Sequence, residues 1–202
     1  MAFNISTFRQ AMALDGARPN LFEVTLNLPE VVETFAAGAA IPKSSKFLVR
    51  AAQLPGSTIG TVNVPYFGRE VKFAGNRTFA DWTVTVINDE DFIIRNTFEI
   101  WLNYINSHVG NVRQIGRASN LLNYFADLRV VQYSKVGGFG LKDYNFRDAF
   151  PVDVSPIDLN WGDNDSIEEF TITFAYQYWD STTTDQANKA SPNATTPRTN
   201  PQ

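Results

Sequence analysis

Residues 167–179 read IEEFTITFAYQYW, and their alternation decides the fold class. Phe170, Ile172, Phe174, Tyr176 and Tyr178 share one parity, while Thr171, Thr173, Ala175 and Gln177 share the other. Successive side chains of a strand point to opposite faces. A period of two, rich in aromatic and β-branched residues, therefore predicts a strand with one apolar face and one polar, almost uncharged face. The same alternation predicts strands over 21–28, with Phe22, Val24, Leu26 and Leu28 inward, and over 82–87, with Trp82, Val84 and Val86 set against Thr83 and Thr85. Weaker strands fit 47–53, 61–66, 70–73, 128–133, 144–149 and 157–161. About eight or nine strands make a mainly β domain.

One segment changes period. After Asn88, the positions Ile94, Phe98, Trp101, Leu102 and Ile105 recur at helical spacing. Asn88 is the expected N-cap, Asp89, Glu90 and Asp91 complement the positive helix start, and Gly110 lies past the end. The spacing predicts one amphipathic helix of about 16 residues packed on the sheets. Residues 29–45 and 110–120 fit neither period and read as loops. The domain is expected to span 1–180 with a long loop at 29–45. The tail, 181–202, has no aromatic residue and no Val, Ile, Leu or Met, and so lacks the apolar surface that offsets ordering entropy.

Composition removes several kinds of chemistry. The 202 residues contain no Cys, which excludes a disulfide framework, a thiolate nucleophile and Cys-ligated metal, and a single His leaves little for imidazole sites. That residue, His108, lies at the predicted helix end without a neighbouring carboxylate or a Gly-x-Ser-x-Gly elbow, so it reads as a capping or exposed side chain. Asp89–Asp91 is explained by its place at a helix start. Asp158, Asp163, Asn164 and Asp165 around Gly162 lack calcium-loop spacing and read as a turn, as do the glycines of VGGFG at 136–140. No catalytic, metal or cofactor site is expected, and the chain is expected not to be an enzyme. With 17 basic and 21 acidic residues and no basic run, tight binding to nucleic acid is not expected. No stretch approaches the roughly 18 apolar residues of a spanning helix, and the opening MAFNISTFRQ lacks a signal-peptide pattern, so synthesis and assembly in a cytoplasm are expected.

What remains is an aromatic load of 16 Phe, 7 Tyr and 4 Trp. Most suit a core, but Tyr66 and Phe67 in VPYFG sit beside Pro and Gly in a connection, where exposed aromatics mark interfaces. Composition leads to a β-rich, non-enzymatic assembly protein. A monomeric carbohydrate-binding β module is the alternative of another class, and it requires aromatics in a shallow exposed row.

Three separated strings carry a resemblance: ARPNLFEV at 17–24, LPGSTIGTVNVPYFGREVKFAGNRTFADWTVTVINDE at 54–90 and IDLNWGDNDSIEEFTITFAYQYWD at 157–180. In this order they resemble the tail tube proteins of T-even-like contractile-tailed bacteriophages. The resemblance implies a two-sheet β-barrel-like sandwich with one packed helix, assembled as hexameric rings that stack into a tube inside a contractile sheath. The tube conducts the genome without binding it. Baseplate and tail-terminator proteins are the further partners implied, and the tail of the virion is the implied location. A tube subunit of a type VI secretion or extracellular contractile injection system is the alternative with the same mechanism. Within this frame, the segment 54–69 is expected to be the loop that reaches neighbouring subunits, with Leu54, Pro55, Thr58, Ile59, Tyr66, Phe67 and Arg69 at the interface. Candidates for the channel wall are Thr171, Thr173 and Gln177, or Glu70 and Lys72 taken as opposite faces of a short strand. Residues 29–45 are longer than the family's hairpin and the tail is additional, so both are expected on the outer surface.

Overall fold

The computed structural model describes residues 4–12, 16–35, 46, 48–111 and 124–184. In chain order the elements are α1 (Ile5–Ala11), β1 (Phe22–Leu26), α2 (Glu30–Phe35), β2 (Val49–Ala52), β3 (Thr58–Tyr66), β4 (Arg69–Thr78), β5 (Trp82–Ile87), α3 (Ile93–Ile105), β6 (Ala126–Tyr133), β7 (Gly140–Val154), β8 (Glu169–Ala175) and β9 (Tyr178–Ser181). The mainly β class, the two sheets and the packed helix agree with the sequence reading.

Seven strands form one curled sheet in the order β1, β6, β7, β8, β5, β2, with β9 also paired to β7, and all pairs are antiparallel. The end strands β1 and β2 come back into contact, so the sheet wraps round its own apolar face. Into that interior project Val24 and Leu26, Trp82, Val84 and Val86, and Phe170, Ile172 and Phe174, all buried. Trp82 stacks on Phe146 across the core with centroids 4.2 Å apart. Helix α3 covers the core with Ile94, Phe98 and Trp101, while Trp101 donates its indole N–H to the Tyr124 carbonyl at 2.9 Å.

β7 is 15 residues long because it serves both halves of the sheet. Its first part pairs with β6 and β9 and its last part with β8. Asp148, at φ 53°, bends the strand between the two.

Several expectations need correction. Asn88 does not cap α3. Its amide donates to Glu168 Oε2 at 2.9 Å and its backbone N–H to the Glu168 carbonyl at 2.9 Å. The cap position is Phe92 in the left-handed region, and Asp91 Oδ1 accepts the Ile93 N–H at 3.0 Å. The helix thus starts later and has 13 residues. The stretch read as a loop from residue 29 opens with α2, whose Val32 is fully buried, and residues 36–45 lie outside the described residues. No strand forms over 157–161, and Leu159 and Trp161 face solvent. The strand predicted to run to residue 179 stops at Ala175, and Tyr178 begins β9 on another edge. Folding also continues past Asp180. Ser181 is buried and Thr182 donates to Asp143 Oδ1 at 2.6 Å, while residues 185–202 lie outside the description.

Candidate functional site

Strands β3 and β4 form a two-stranded sheet apart from the body, and every side chain on them faces solvent except at Gly75. The segment 54–69 is therefore not a loop but one strand and the tip of a β-hairpin. Phe67 (φ 44°) and Gly68 (φ 79°) both have positive φ, the requirement of a type I′ two-residue turn whose twist matches its strands. Pro65 pairs with Glu70 one step from the tip. On a strand with only one neighbour, its missing N–H costs no ladder bond when it points outward.

Cross-strand partners in an antiparallel pair share a face. Val62 opposes Phe73, Val64 opposes Val71 and Tyr66 opposes Arg69, which makes one face apolar. Thr61 opposes Ala74, Asn63 opposes Lys72 and Pro65 opposes Glu70, which makes the other polar, and Asn63 donates to Glu70 Oε2 at 3.1 Å. Glu70 and Lys72 hence lie on the same face, two residues apart, and not on opposite ones. The hairpin is an amphipathic arm with an unpaired apolar face ending in Phe67, which is 92% exposed. Nothing among the described residues covers that face.

The arm has a fixed base. Trp82 donates its indole N–H to the Gln53 carbonyl at 2.7 Å, and Trp179 donates to the Gly56 carbonyl at 3.1 Å. Leu54 and Pro55 lie in this base, while Thr58 and Ile59 open β3 and Tyr66, Phe67 and Arg69 form the tip. The expected interface residues are brought together on one projection. Missing from that set were Val62, Val64, Val71 and Phe73, although their alternation around the YFG turn carried the signal.

The wall candidates divide. Thr171 and Thr173 lie on the outer face of β8, opposite Thr85 and Thr83 of β5, and Asp153 of β7 pairs with Thr173. This gives a polar surface with the ion pair of Arg50 and Glu169 at one end. Gln177 falls between β8 and β9, outside that row, with its N–H bonded to the Arg147 carbonyl at 3.1 Å. Glu70 and Lys72 belong to the arm. His108 is exposed, and its Nδ1 lies 2.9 Å from the Asn103 side-chain oxygen. No cluster of three or more His, Asp or Glu suited to a metal occurs among the described residues.

Residues 17–182, which hold the curled sheet and the arm, match the family described as phage tail tube protein. The chain belongs to that family. It is 31% identical over 166 residues to the tail tube protein gp19 of Enterobacteria phage T4, covering 82% of this chain and 92% of that one. It is 30% identical to the tail tube protein of Serratia phage KSP90, covering 85% and 93%. Two solved structures share this fold at 14% identity. A chain from the anti-feeding prophage baseplate has a TM-score of 0.57 and covers 82% of this chain and 95% of its own length. A chain from the sheath-tube complex of an extracellular contractile injection system, in its extended state, has a TM-score of 0.51 with 89% and 98% covered.

Proposed function

We propose that this chain is the structural, non-catalytic subunit of a contractile phage tail tube, building hexameric rings that stack into a conduit for the genome. The observation that carries the reading is the amphipathic arm, whose apolar face has no cover among the described residues. Each such side chain gains about 1.5–3 kcal/mol on full burial, so the exposed row favours association. The proposed partners are further copies of itself, the sheath around the tube, and the baseplate and terminator at its ends. The proposed place is the virion tail, assembled in the host cytoplasm. A tube of an injection or secretion system works by the same mechanism, but relatives at 30% identity favour the phage.

The outer row of Thr83, Thr85, Thr171 and Thr173 is the proposed channel wall. Its hydroxyls offer a wet, uncharged surface to a moving polyanion.

The test replaces Tyr66 and Phe67 together with Ser. Both are exposed, so the monomer should keep its circular dichroism while losing polymerisation by sedimentation. Normal tubes from this variant would remove the arm from the stacking contact.

A further inference from the structure

The connection between β7 and β8, residues 155–168, presents a second exposed apolar group. Leu159, Trp161 and Ile167 stand in solvent, with Trp161 wholly exposed. The segment 156–168 carries Asp158, Asp163, Asp165 and Glu168 and no Lys or Arg. Asp158, Asp163 and Asp165 have no ion-pair partner among the described residues. Asp158 and Asp163 line an open concavity of about 470 Å³ together with Leu159, Trp161 and Ile167. In a monomer, an apolar knob rimmed by unpaired carboxylates is a surface waiting for an apolar, basic partner.

The arm has that chemistry. It carries Arg69, Lys72 and Arg77 against one acid, Glu70, and none of the three cations has an ion-pair partner among the described residues. The two surfaces lie at opposite ends of the same strands. β5 and β8 are antiparallel, with Trp82 opposite Phe174 at one end and Ile87 opposite Glu169 at the other. The arm is anchored at the Trp82 end by the bond to the Gln53 carbonyl. The acidic segment is anchored at the Ile87 end by the bonds between Asn88 and Glu168. Six residues of strand separate them by about 17–20 Å. Both ends are tied to a rigid sheet, so they do not meet within one chain.

We infer that the 156–168 surface is the receptor for the arm of a second copy, the arm's apolar face and tip seating against Leu159, Trp161 and Ile167 while its cations meet the surrounding carboxylates. Different surfaces at opposite poles make the contact heterologous, and a heterologous contact along the strand axis repeats instead of closing after two copies. This inference rests on the tube reading and specifies which surface of one subunit the arm of the next one grips.

Two variants of the full chain test it. One carries Tyr66→Ser with Phe67→Ser and lacks a working arm; the other carries Leu159→Ser with Trp161→Ser and lacks a working receptor. All four side chains are exposed, so circular dichroism should match the wild type. Each variant alone should lose tubes in sedimentation velocity. Mixed in equal amounts, they should form a species of twice the unstacked mass and nothing longer, because each supplies the surface the other lacks. A wild type that forms tubes together with a receptor variant that also forms them would overturn this pairing alone. A mixture that remains unstacked would overturn it as well. A wild type that never assembles would remove the tube reading and this inference with it.

Discussion

Two carboxylates act as ties between neighbouring strands. Glu23 of β1 accepts from Lys46 at 2.7 Å and from the Tyr133 hydroxyl of β6 at 3.1 Å, and the lysine holds its pKa below the ordinary 4.5. Asp143 of β7 accepts from the Thr182 hydroxyl and from Arg129 of β6, and these hold it below the ordinary 3.8, the hydroxyl contributing most. Because the folded values are depressed, the unfolded chain takes up protons first on acidification. The stabilisation is thus complete above the ordinary values and lost as pH falls through the folded ones. Thermal midpoints should be level above about pH 5 and fall below about pH 4, and Glu23→Gln with Asp143→Asn should flatten that fall. An unchanged acid slope in the double variant would assign acid sensitivity elsewhere. At this scale the sequence was legible where a residue's parity decided its burial, as for Val84 or Phe174. It was silent on ties such as Arg147, which joins Asp127 at 2.5 Å to Asp180 at 2.7 Å across distances the chain order hides.

Periodic elements could be read and their ends could not. The stripe of α3 was visible because Ile94, Phe98 and Trp101 repeat at helical spacing. Its start was hidden because Phe92 adopts the left-handed conformation without a side-chain cap. The length of β7 was hidden by Asp148 and Pro151, which break the alternation where the strand changes partners. That bend yields a prediction. At φ 53°, a β-branched residue is strained, so Asp148→Val should cost about 1–2 kcal/mol in chemical denaturation, while Asp148→Gly should fold at least as well as this backbone allows without Cβ strain. A harmless valine would mean that the bend relaxes freely. In the arm, Gly75 faces Gly60 where the register shifts, and a Cβ there would lie 3.1 Å from the Gly60 backbone, so the close crossing depends on glycine. Alternation at Val62, Val64, Val71 and Phe73 made the hairpin legible, but its separation from the body was not, since a strand's pattern does not say what lies against it.

At the scale of the whole molecule, the curled sheet carries an apolar, basic arm at one end and an apolar, acidic surface at the other. The net charge of −4 fits a wall that does not hold DNA. Duplex DNA carries a charge about every 1.7 Å, so added cations on the proposed wall should release counterions and retain it. Tubes of Thr171→Lys with Thr173→Lys should hold duplex DNA at low salt and release it at high salt, whereas wild-type tubes should retain little at physiological salt. Strong retention by the wild type would place the threonine row elsewhere. The family and the class of role were legible in long matching strings, while the pairing of opposite ends was not, because linear order conceals that 58–78 and 156–168 lie at opposite ends of two strands. The central claim of stacked rings is tested most directly by electron microscopy of the concentrated, purified chain. Six-membered rings stacked into hollow tubes are the predicted result, and a field of separate monomers at every concentration would contradict it.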